Sequence, residues 1–472
     1  MRKEPVKIKE LKASIRAGNF DEVVTGYLED EALLEAARCL QCKDPTCIAG
    51  CPVEIDIKRF IYNITKKDYG AACTVIREKN NFPSICGRVC PAEYQCQRAC
   101  VLTKKDSAFA SKKAINIHFL ERFAGDYGMA NDIEAPKMPD RSLSAHRVAV
   151  VGSGPAGLCC AGELVRYGIK VTVFEALQKP GGVLRYGIPP FRMPRDILDY
   201  EIDYLKKLGV DIIGNTIIGR TKTIDELFAE GYCAIFLGLG AGIPSFLGIP
   251  GENLCNIYSA NEFLTRINLM SAYKFPEYHT PVNIGKKALI IGGGNTAMDA
   301  ARAALRLQNM TMQASDTTII YRRTEAEMPA RRFEIEHARE EGIKFKFLTQ
   351  PVEFLGDDDG FVKKMKCIEC RLGEPDGSGR RRPVPVKGSE FDIDCDIAVI
   401  AVGLKANQLL ISVTPGLKTD KYGDLIVNKD TMETSLKGIY AGGDIVGGEG
   451  TVIEAMGMAK RAANGIIERL RS

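Results

Sequence analysis

The sequence predicts an α/β protein in which a small helical N-terminal domain is followed by two nested Rossmann-like domains. Nine of its 16 cysteines lie in the first 100 residues, among helix-like segments such as DEALLEAARCLQC. From about residue 146 onwards, short apolar strands alternate with helices around two glycine-rich turns, RVAVVGSGPAG and KALIIGGGNTA. Because the tail returns to apolar strands and a small-residue helix, we expect it to complete the first of the two domains.

These shifts in pattern give the expected domain limits. The helical domain should occupy residues 1–127, and a polar, proline-containing linker should follow at residues 128–145. The first nucleotide-binding domain is expected at residues 146–284, with its second part at residues 396–472. The second nucleotide-binding domain, residues 285–395, would then be inserted between those two parts.

Composition and length exclude several classes of protein. A chain of 472 residues is too long for a single core and should form two or three domains. Its 64 basic and 60 acidic residues are mixed, without long runs of one sign, so we expect no nucleic-acid partner. The N-terminus lacks the apolar segment of a signal peptide, and no stretch reaches roughly 18 apolar residues. We therefore expect a cytoplasmic protein without a membrane partner.

The first glycine-rich turn predicts a site for FAD. Gly152, Gly154 and Gly157 follow the predicted strand Arg147–Val151, and Glu175 ends the next strand. In such a unit the glycines allow a tight turn, a close approach to a pyrophosphate and close helix packing, while the acid accepts hydrogen bonds from a ribose. Asp444 is predicted to contact the ribityl chain, although an aspartate there could also serve as a helix cap. The other residues predicted to contact FAD are Pro155, Ala156, Gly182, Val183, Gly443 and Thr451.

The second glycine-rich turn predicts a site for NADPH. Gly292, Gly294 and Ala297 form GxGxxA, and Asn295 and Thr296 begin a helix that would face a second pyrophosphate. The next predicted strand is followed by Arg322 and Arg323 and not by an acid, which favours a 2′-phosphate over a bare ribose diol. Arginines after a strand can also be solvated loop residues, and only the preceding motif favours the nucleotide interpretation.

The clustered cysteines predict two 4Fe-4S clusters. Their spacing is C-x2-C-x4-C-x3-C-P followed by C-x5-C-x3-C, and in two-cluster ferredoxin patterns the last cysteine of a run binds the other cluster. Zinc is the alternative for any CxxC pair, but the spacings match no usual zinc module. The predicted ligands are Cys39, Cys42, Cys47 and Cys100 for the first cluster, and Cys51, Cys90 and Cys96, with an eighth ligand missing, for the second.

The segments RCLQC, CIAGCP, ICGRVCP, GSGPAGL, PGGVLRYGIPPFRMP, GGGNTAMDAAR, YRR and YAGGD together resemble one family. It contains the small subunit of NADPH-dependent glutamate synthase, the N-terminal half of dihydropyrimidine dehydrogenase and the large subunit of an electron-bifurcating ferredoxin-dependent transhydrogenase. The resemblance implies hydride exchange between NADPH and FAD and passage of single electrons through the clusters. It also implies that Glu121 is the eighth ligand; otherwise Glu121 would be an ordinary exposed helix residue. Cys86 is expected to be a bystander.

Other segments, such as YSANEFLTRINLMSAYKFPEY and LGEPDGSGRRRP, are most similar to the transhydrogenase subunit. That resemblance implies two partners, namely a smaller NADH-binding subunit with FAD and iron-sulfur clusters, and ferredoxin. One alternative is the small subunit that feeds a large glutamate synthase subunit. Another is a non-catalytic electron-transfer scaffold, against which the intact nucleotide motifs count.

One further arginine and one further cysteine pair have candidate roles. Arg192 is a candidate for a cation close to the isoalloxazine ring, with a surface salt bridge as its alternative. Cys367 and Cys370 also form a CxxC, which could suggest a disulfide reductase. They lie in a predicted strand, however, where residues three apart point to opposite faces, so the redox interpretation is disfavoured.

Overall fold

The N-terminal part is a small domain of short helices. We describe a computed structural model of the protein, covering residues 4–103, 113–134, 142–311, 315–448 and 450–472. A two-stranded antiparallel ribbon precedes the longer helices, and a 3-10 turn at Ala92–Tyr94 lies among the clustered cysteines. The elements are β1 (Lys9–Glu10), α1 (Ala13–Arg16), β2 (Val24–Gly26), α2 (Glu29–Ala36), α3 (Thr46–Ala49), α4 (Ile57–Thr65), α5 (Tyr69–Arg77), α6 (Pro83–Val89) and α7 (Ile117–Ala130).

The segment that follows begins the first nucleotide-binding domain and leads into the second. The strands at the centre of its sheet are mostly buried and apolar, as expected for a parallel sheet covered on both faces. The elements are β3 (Arg147–Val151), α8 (Pro155–Arg166), β4 (Lys170–Phe174), α9 (Val183–Tyr186), α10 (Arg195–Lys207), β5 (Val210–Ile213), α11 (Ile224–Ala229), β6 (Ala234–Leu237), β7 (Ile243–Pro244), β8 (Ile257–Ser259) and α12 (Ala260–Asn268).

The remaining elements form the second nucleotide-binding domain and return to the first. A 3-10 turn at Ala272–Lys274 precedes them. They are β9 (Lys287–Ile291), α13 (Asn295–Thr311), β10 (Asp316–Ile320), α14 (Arg332–Glu340), β11 (Lys344–Lys346), β12 (Thr349–Gly356), β13 (Val362–Pro375), β14 (Arg381–Pro385), β15 (Phe391–Asp394), β16 (Ile397–Ile400), β17 (Leu404–Lys405), α15 (Gln408–Ser412), β18 (Ile439–Ala441) and α16 (Val452–Arg471), with 3-10 turns at Glu325–Glu327 and Asp444–Val446.

Two parallel five-stranded sheets organise these elements. The first has the order β18-β6-β3-β4-β5, and the second has the order β11-β10-β9-β16-β8. In each sheet the strand that leads into a glycine-rich turn, β3 or β9, is central. Strand β18 pairs with β6, so the tail of the chain completes the first sheet, as expected.

The second sheet extends beyond the limits expected for its domain. Strand β8 lies before residue 285 and β16 lies after residue 395, yet both belong to this sheet. The short β8 is half-buried, without the long apolar run that would identify a strand from sequence. Strands β12 to β15 form an antiparallel extension of the same region. Of the expected linker, residues 135–141 lie outside the described residues, and α7 continues to Ala130.

The N-terminal segment, residues 16–23, connects the helical domain with both nucleotide-binding domains. Phe20 stacks on Tyr273 with ring centroids 4.6 Å apart, and Val23 N donates to Phe191 O at 3.0 Å. The side chain of Asn309, on α13, donates to Ala17 O at 2.8 Å. Residues of this segment therefore complete the core of the second nucleotide-binding domain, although they precede the cysteines in the chain. None of the described helices is sufficiently long and apolar to cross a membrane.

Candidate functional site

One cavity of about 880 Å³ connects the two glycine-rich turns. It also reaches Val89 and Pro91, which flank Cys90 in the helical domain. Gly157 and Ala297, by contrast, pack behind the turns. The residues predicted from the sequence that line the cavity are Gly152, Gly154, Pro155, Ala156, Glu175, Gly182, Val183, Arg192, Gly443, Asp444 and Thr451 around the first turn, and Gly292, Gly294, Asn295, Thr296, Arg322 and Arg323 around the second.

The first turn requires glycine at the positions that the motif predicts. Gly152 has φ +99°, and a Cβ there would lie 2.5 Å from Gly238 O. A Cβ on Gly157 would lie 1.9 Å from Gly152 O, so helix α8 can approach the turn only without a side chain. Gly154 caps α8 and faces open space, its closest neighbour being Gly182 Cα at 4.0 Å from a built Cβ. The backbone N–H groups at the start of α8 are thus available to an anion.

Glu175 shapes the same turn. Its carboxylate accepts hydrogen bonds from the backbone N–H groups of Ser153 at 2.9 Å and Leu177 at 2.8 Å, and from the Ser153 hydroxyl. Glu175 is buried but lines the cavity. The predicted acid at the end of β4 is therefore in position, and it orders the loop in addition to any contact with a ribose.

The C-terminal region closes the first half of the cavity. Gly182 and Gly443 both have positive φ, 52° and 78°, so both positions favour glycine. Asp444 begins the 3-10 turn that follows Gly443, and burial raises the pKa of its carboxyl group. Thr451 caps α16 by accepting a hydrogen bond from Glu454 N at 3.3 Å. The two helix starts, on α8 and α16, both border the cavity.

The second turn repeats these features. Gly292 has φ +149°, and a Cβ there would lie 2.3 Å from Ala401 O. A Cβ on Gly293 would lie 2.6 Å from the ring of Tyr321. Asn295 begins α13, and its Oδ1 accepts a hydrogen bond from Arg331 N at 2.9 Å. The start of α13 therefore faces the cavity, as the motif predicts.

The two arginines after β10 differ in their surroundings. Arg322 is exposed, lines the cavity, and forms no hydrogen bond or ion pair within the described part of the chain. Arg323 is buried and turns towards the hairpin of β13 and β14, where it binds Asp376 Oδ2 at 2.6 Å and Arg381 O at 2.7 Å. The sequence predicts the same role for both arginines. In the structure they differ, because Arg323 is engaged by the hairpin and Arg322 is not.

Arg192 is held between two carboxylates. It lines the cavity, yet its side chain is only 8% exposed and pairs with Asp299 at 2.6 Å and Glu334 at 2.9 Å. Arg192 therefore forms salt bridges, as the alternative interpretation expected, but they are buried and not at the surface. Burial opposes ionisation of Glu334, but Arg192 and Arg302 hold the pKa of its carboxyl group below its usual value. The charge of Arg192 is already balanced, which weakens its expected role beside a flavin.

The first predicted group of cysteines surrounds a small cavity. Cys39, Cys42, Cys47 and Cys100 line it together with apolar side chains. Burial and the neighbouring Cys100 raise the pKa of the Cys47 thiol to about 12. All four cysteines are partly exposed. Residues 39 to 47 thus meet residue 100 as the ferredoxin pattern predicts.

The second predicted group is more deeply buried. Burial and the charges of Cys51, Glu121 and Cys90 raise the pKa of Cys96 well above its usual value, so these four groups are neighbours. Glu121 is only 5% exposed, and the interpretation as an exposed helix residue is wrong. Burial raises the pKa of its carboxyl group to about 8, although Asn80 Nδ2 donates to it at 2.6 Å.

Cys86 belongs to the same pocket, since its thiol interacts with that of Cys90. Its Sγ also lies 3.7 Å from Asn80 Oδ1 and 3.7 Å from Met456 Sδ. Sequence reasoning missed the proximity of Cys86 and Asn80, and neither residue carries a local signal for it.

No three cysteine thiols among the described residues lie within 4.8 Å of one another. Among the described residues, only Glu10, His337 and Glu340 bring three ligand atoms within 4.8 Å of one another. A tetrahedral zinc site would hold its thiolates about 4 Å apart, given Zn–S distances near 2.3 Å. Neither group of cysteines is so tight. Arg16 pairs with both Glu10 and Glu340, so that group is an ion-pair cluster.

The buried cysteine group lies directly against the first nucleotide-binding domain. Helix α16 passes so close that a Cβ on Gly457 would lie 2.7 Å from Pro52 O, next to Cys51. On the other side, Leu40 and Val101 are 48% and 52% exposed beside cysteines of the first group. From the interior outwards, the order is therefore the nucleotide cavity, the second group of cysteines, the first group of cysteines and the protein surface.

Replacing Gly457 with valine should separate α16 from the loop of Cys51 and Pro52. We expect overpacking of about 1–3 kcal/mol, and any iron that the second group binds should be lost. Thermal unfolding and iron content of anaerobically purified protein measure both effects. Asn464, exposed on the same helix, gives the matched control Asn464→Val. Equal iron content and stability in the two variants would contradict this account of the contact.

Two family models match successive parts of the chain. The family model of dihydropyrimidine dehydrogenase domain II, 4Fe-4S cluster, matches residues 16–133. The model of pyridine nucleotide-disulphide oxidoreductase matches residues 146–459. The structure of FprA from Mycobacterium tuberculosis in complex with NADPH aligns over 69% of this chain and 85% of FprA, with a TM-score of 0.57. At 22% identity that likeness shows the fold alone.

Three relatives illustrate the range of proteins that are similar in sequence. The chain is 34% identical to the glutamate synthase (NADPH) small chain of Halomonas elongata, over 97% of this chain and 95% of that one. It is 35% identical to the putative oxidoreductase AegA of Escherichia coli, over 96% of this chain and 68% of AegA. It is 38% identical to the NADP(+)-dependent formate dehydrogenase subunit beta of Moorella thermoacetica, over 90% of this chain and 60% of that subunit.

The predicted fold class is confirmed, and so are a 4Fe-4S domain and a region for FAD and NADP. The chain belongs to the pyridine nucleotide-disulphide oxidoreductase family, in the group of oxidoreductase subunits that join this region to a 4Fe-4S domain and include the glutamate synthase small chains.

Proposed function

We propose that this oxidoreductase subunit takes electron pairs from NADPH at an FAD and releases them singly through two 4Fe-4S clusters. The observation that carries the proposal is the single cavity, which joins both glycine-rich turns and reaches the loop of Cys90. FAD, when bound, supplies the exchange between two-electron and one-electron chemistry. The chain supplies the geometry that brings the two nucleotides and a buried group of cysteines together.

The residues around the first turn fit FAD. Gly154 leaves room where a pyrophosphate must approach the start of α8, and Gly182 and Gly443 keep side chains out of the cavity. Glu175 and Asp444 supply carboxylates at separate points along the cavity, suited to ribose and ribityl hydroxyls respectively. Around the second turn, Gly294 and the start of α13 would hold the pyrophosphate of NADPH.

The two cysteine groups fit clusters of different exposure. Cys39, Cys42, Cys47 and Cys100 would hold the outer cluster, which exchanges electrons with a partner at the surface. The inner cluster would have Cys51, Cys90, Cys96 and Glu121 as ligands, and the Asn80 side chain would orient the glutamate. A buried carboxylate in place of a thiolate should give the inner cluster a different potential from the outer one.

Within this class we propose the large subunit of an electron-bifurcating, ferredoxin-dependent transhydrogenase. Its partners would be ferredoxin and a smaller NADH-binding flavoprotein with FAD and iron-sulfur clusters. The second candidate is the NADPH-oxidising subunit of glutamate synthase, which is favoured by the 95% coverage of the Halomonas elongata small chain. A non-catalytic scaffold is the third, and it would not need the open cavity between the two turns.

The test is purification of the chain from its native host without oxygen, followed by native mass spectrometry and flavin analysis. A copurified subunit smaller than this chain, with its own FAD, is the expected result. A partner several times larger, with FMN, would instead identify a glutamate synthase. A chain that binds its partner but contains neither flavin nor iron would overturn the proposal and favour the scaffold.

A further inference from the structure

The hairpin formed by β13 and β14 reaches from the antiparallel extension to the nucleotide cavity. Its turn, residues 376–380, has the sequence DGSGR, and Arg380 at the end of the turn lines the cavity together with Arg322 and Arg323. The turn of the hairpin lies more than 50 residues after β10 in the chain. Nothing in the local sequence indicates that it returns to the end of that strand.

Three contacts fix the hairpin in this place. Arg323 donates to Asp376 Oδ2 at 2.6 Å and, through Nε, to Arg381 O at 2.7 Å. Arg381 Nε in turn donates to Glu327 Oε1 at 2.7 Å. Arg323 is buried, and both of its hydrogen bonds are to the hairpin, so its guanidinium is engaged there although the residue also borders the cavity.

Two guanidinium groups remain to face a ligand. Arg322 forms no hydrogen bond or ion pair among the described residues. Arg380 uses only Nε, which donates to Ser378 Oγ at 2.9 Å, and its two Nη atoms have no partner in the same described part. The nearby carboxylates of Asp376 and Glu327 are already paired with Arg323 and Arg381. This end of the cavity therefore has unbalanced positive charge and several unused donors.

We propose that Arg380 binds the 2′-phosphate of NADPH together with Arg322, and that Arg323 and Asp376 are positioning residues that hold the hairpin over it. The inference rests on the proposed NADPH site and names a specificity-determining residue within it. Guanidinium groups on two sides suit a phosphate dianion, which accepts several charge-assisted hydrogen bonds. NADH, which lacks that phosphate, would leave both groups unused.

The test separates this inference from the function on which it rests. The probes are 2′,5′-ADP and 5′-AMP, titrated calorimetrically into the anaerobic holoprotein. Tighter binding of 2′,5′-ADP by the wild type is expected, and equal binding of both would reject the NADPH site itself. In R380A we expect affinity for 2′,5′-ADP to fall about 10-fold, with 5′-AMP unchanged.

The matched control is R382A, since Arg382 is exposed on the same hairpin and does not line the cavity. It should bind both probes as the wild type does. If the wild type discriminates but R380A keeps its full preference for 2′,5′-ADP, the inference is wrong.

A second variant tests the positioning role. In D376N the hairpin loses its charged contact with Arg323, so KM for NADPH should rise while kcat and KM for NADH remain unchanged. A merely structural defect would change the kinetics with both nucleotides alike. An unchanged KM for NADPH in D376N would remove Asp376 and Arg323 from the proposal.

Discussion

Replacing Gly157 with alanine should abolish the retention of FAD. The new Cβ would lie 1.9 Å from Gly152 O, so either α8 or the turn must move. Overpacking of this kind costs about 1–3 kcal/mol or more, and it displaces the backbone N–H groups that would hold a pyrophosphate. We expect roughly 100-fold weaker FAD binding or worse, measured by flavin content after gel filtration and by reconstitution of the apoprotein.

Alanine substitutions at two other glycines separate two effects of an added methyl group, namely a clash within the fold and obstruction of the cavity. A Cβ on Gly154 would have no neighbour closer than 4.0 Å, so Gly154→Ala should fold normally and bind FAD more weakly. Gly242 has no atom within 4 Å of such a Cβ and no positive φ, so Gly242→Ala should change neither property. Full flavin content in Gly157→Ala would show that the turn does not need its close contact with α8.

Local patterns predicted the parts of the fold that short apolar runs determine. Strands β3 and β9 have the predicted bounds, since each has five residues, of which the last four are buried, directly before a glycine-rich turn. The cysteine spacing likewise predicted that residue 100 joins residues 39 to 47. These features depend on neighbours in the sequence, or on a recurrent pairing of motifs. They could be found without knowledge of tertiary contacts.

Features that depend on distant contacts could not be found in this way. Arg323 follows Arg322 directly, and only its pair with Asp376, 53 residues later, separates their environments. Arg192 lies in a proline-rich loop, and its neutralisation depends on Asp299, 107 residues further along the chain. Strand β8 became part of the second sheet through pairing with β16. In each case the residue's environment is determined by a partner in another element, and no periodic pattern in the sequence indicates that partner.

The buried ion pairs around Glu341 also depend on residues that are distant in the chain. Its carboxylate accepts from Arg302 at 2.8 and 3.0 Å, from Arg306 at 2.7 Å, and from Arg16 of the N-terminal segment at 3.0 Å. The side chains of Arg302, Arg306 and Glu341 are fully buried. Burial opposes ionisation of Glu341, but the neighbouring arginines hold the pKa of its carboxyl group far below the usual value. The carboxylate thus balances several guanidinium groups in the interior.

Glu341→Gln should therefore destabilise the second nucleotide-binding domain by about 3–5 kcal/mol, because it leaves buried guanidinium groups without their counter-charge. Glu340→Gln is the matched control: it also pairs with Arg16, but it is 56% exposed and should cost at most about 1 kcal/mol. Urea unfolding of both variants and the wild type, under identical anaerobic conditions, measures the difference. Similar losses in the two variants would contradict the role of burial.

The pH dependence has a defined sign. The folded pKa of Glu341 lies below its usual value of 4.5, so ionised Glu341 stabilises the fold above that pH and the contribution is lost as the pH falls below it. The stability gap between wild type and Glu341→Gln should accordingly be constant near neutral pH and narrow below about pH 4.5. A gap that widened on acidification would mean that the carboxyl group is protonated in the folded protein. Its contacts with Arg16, Arg302 and Arg306 would then be hydrogen bonds from charged guanidinium groups to a neutral carboxyl group, and not ion pairs.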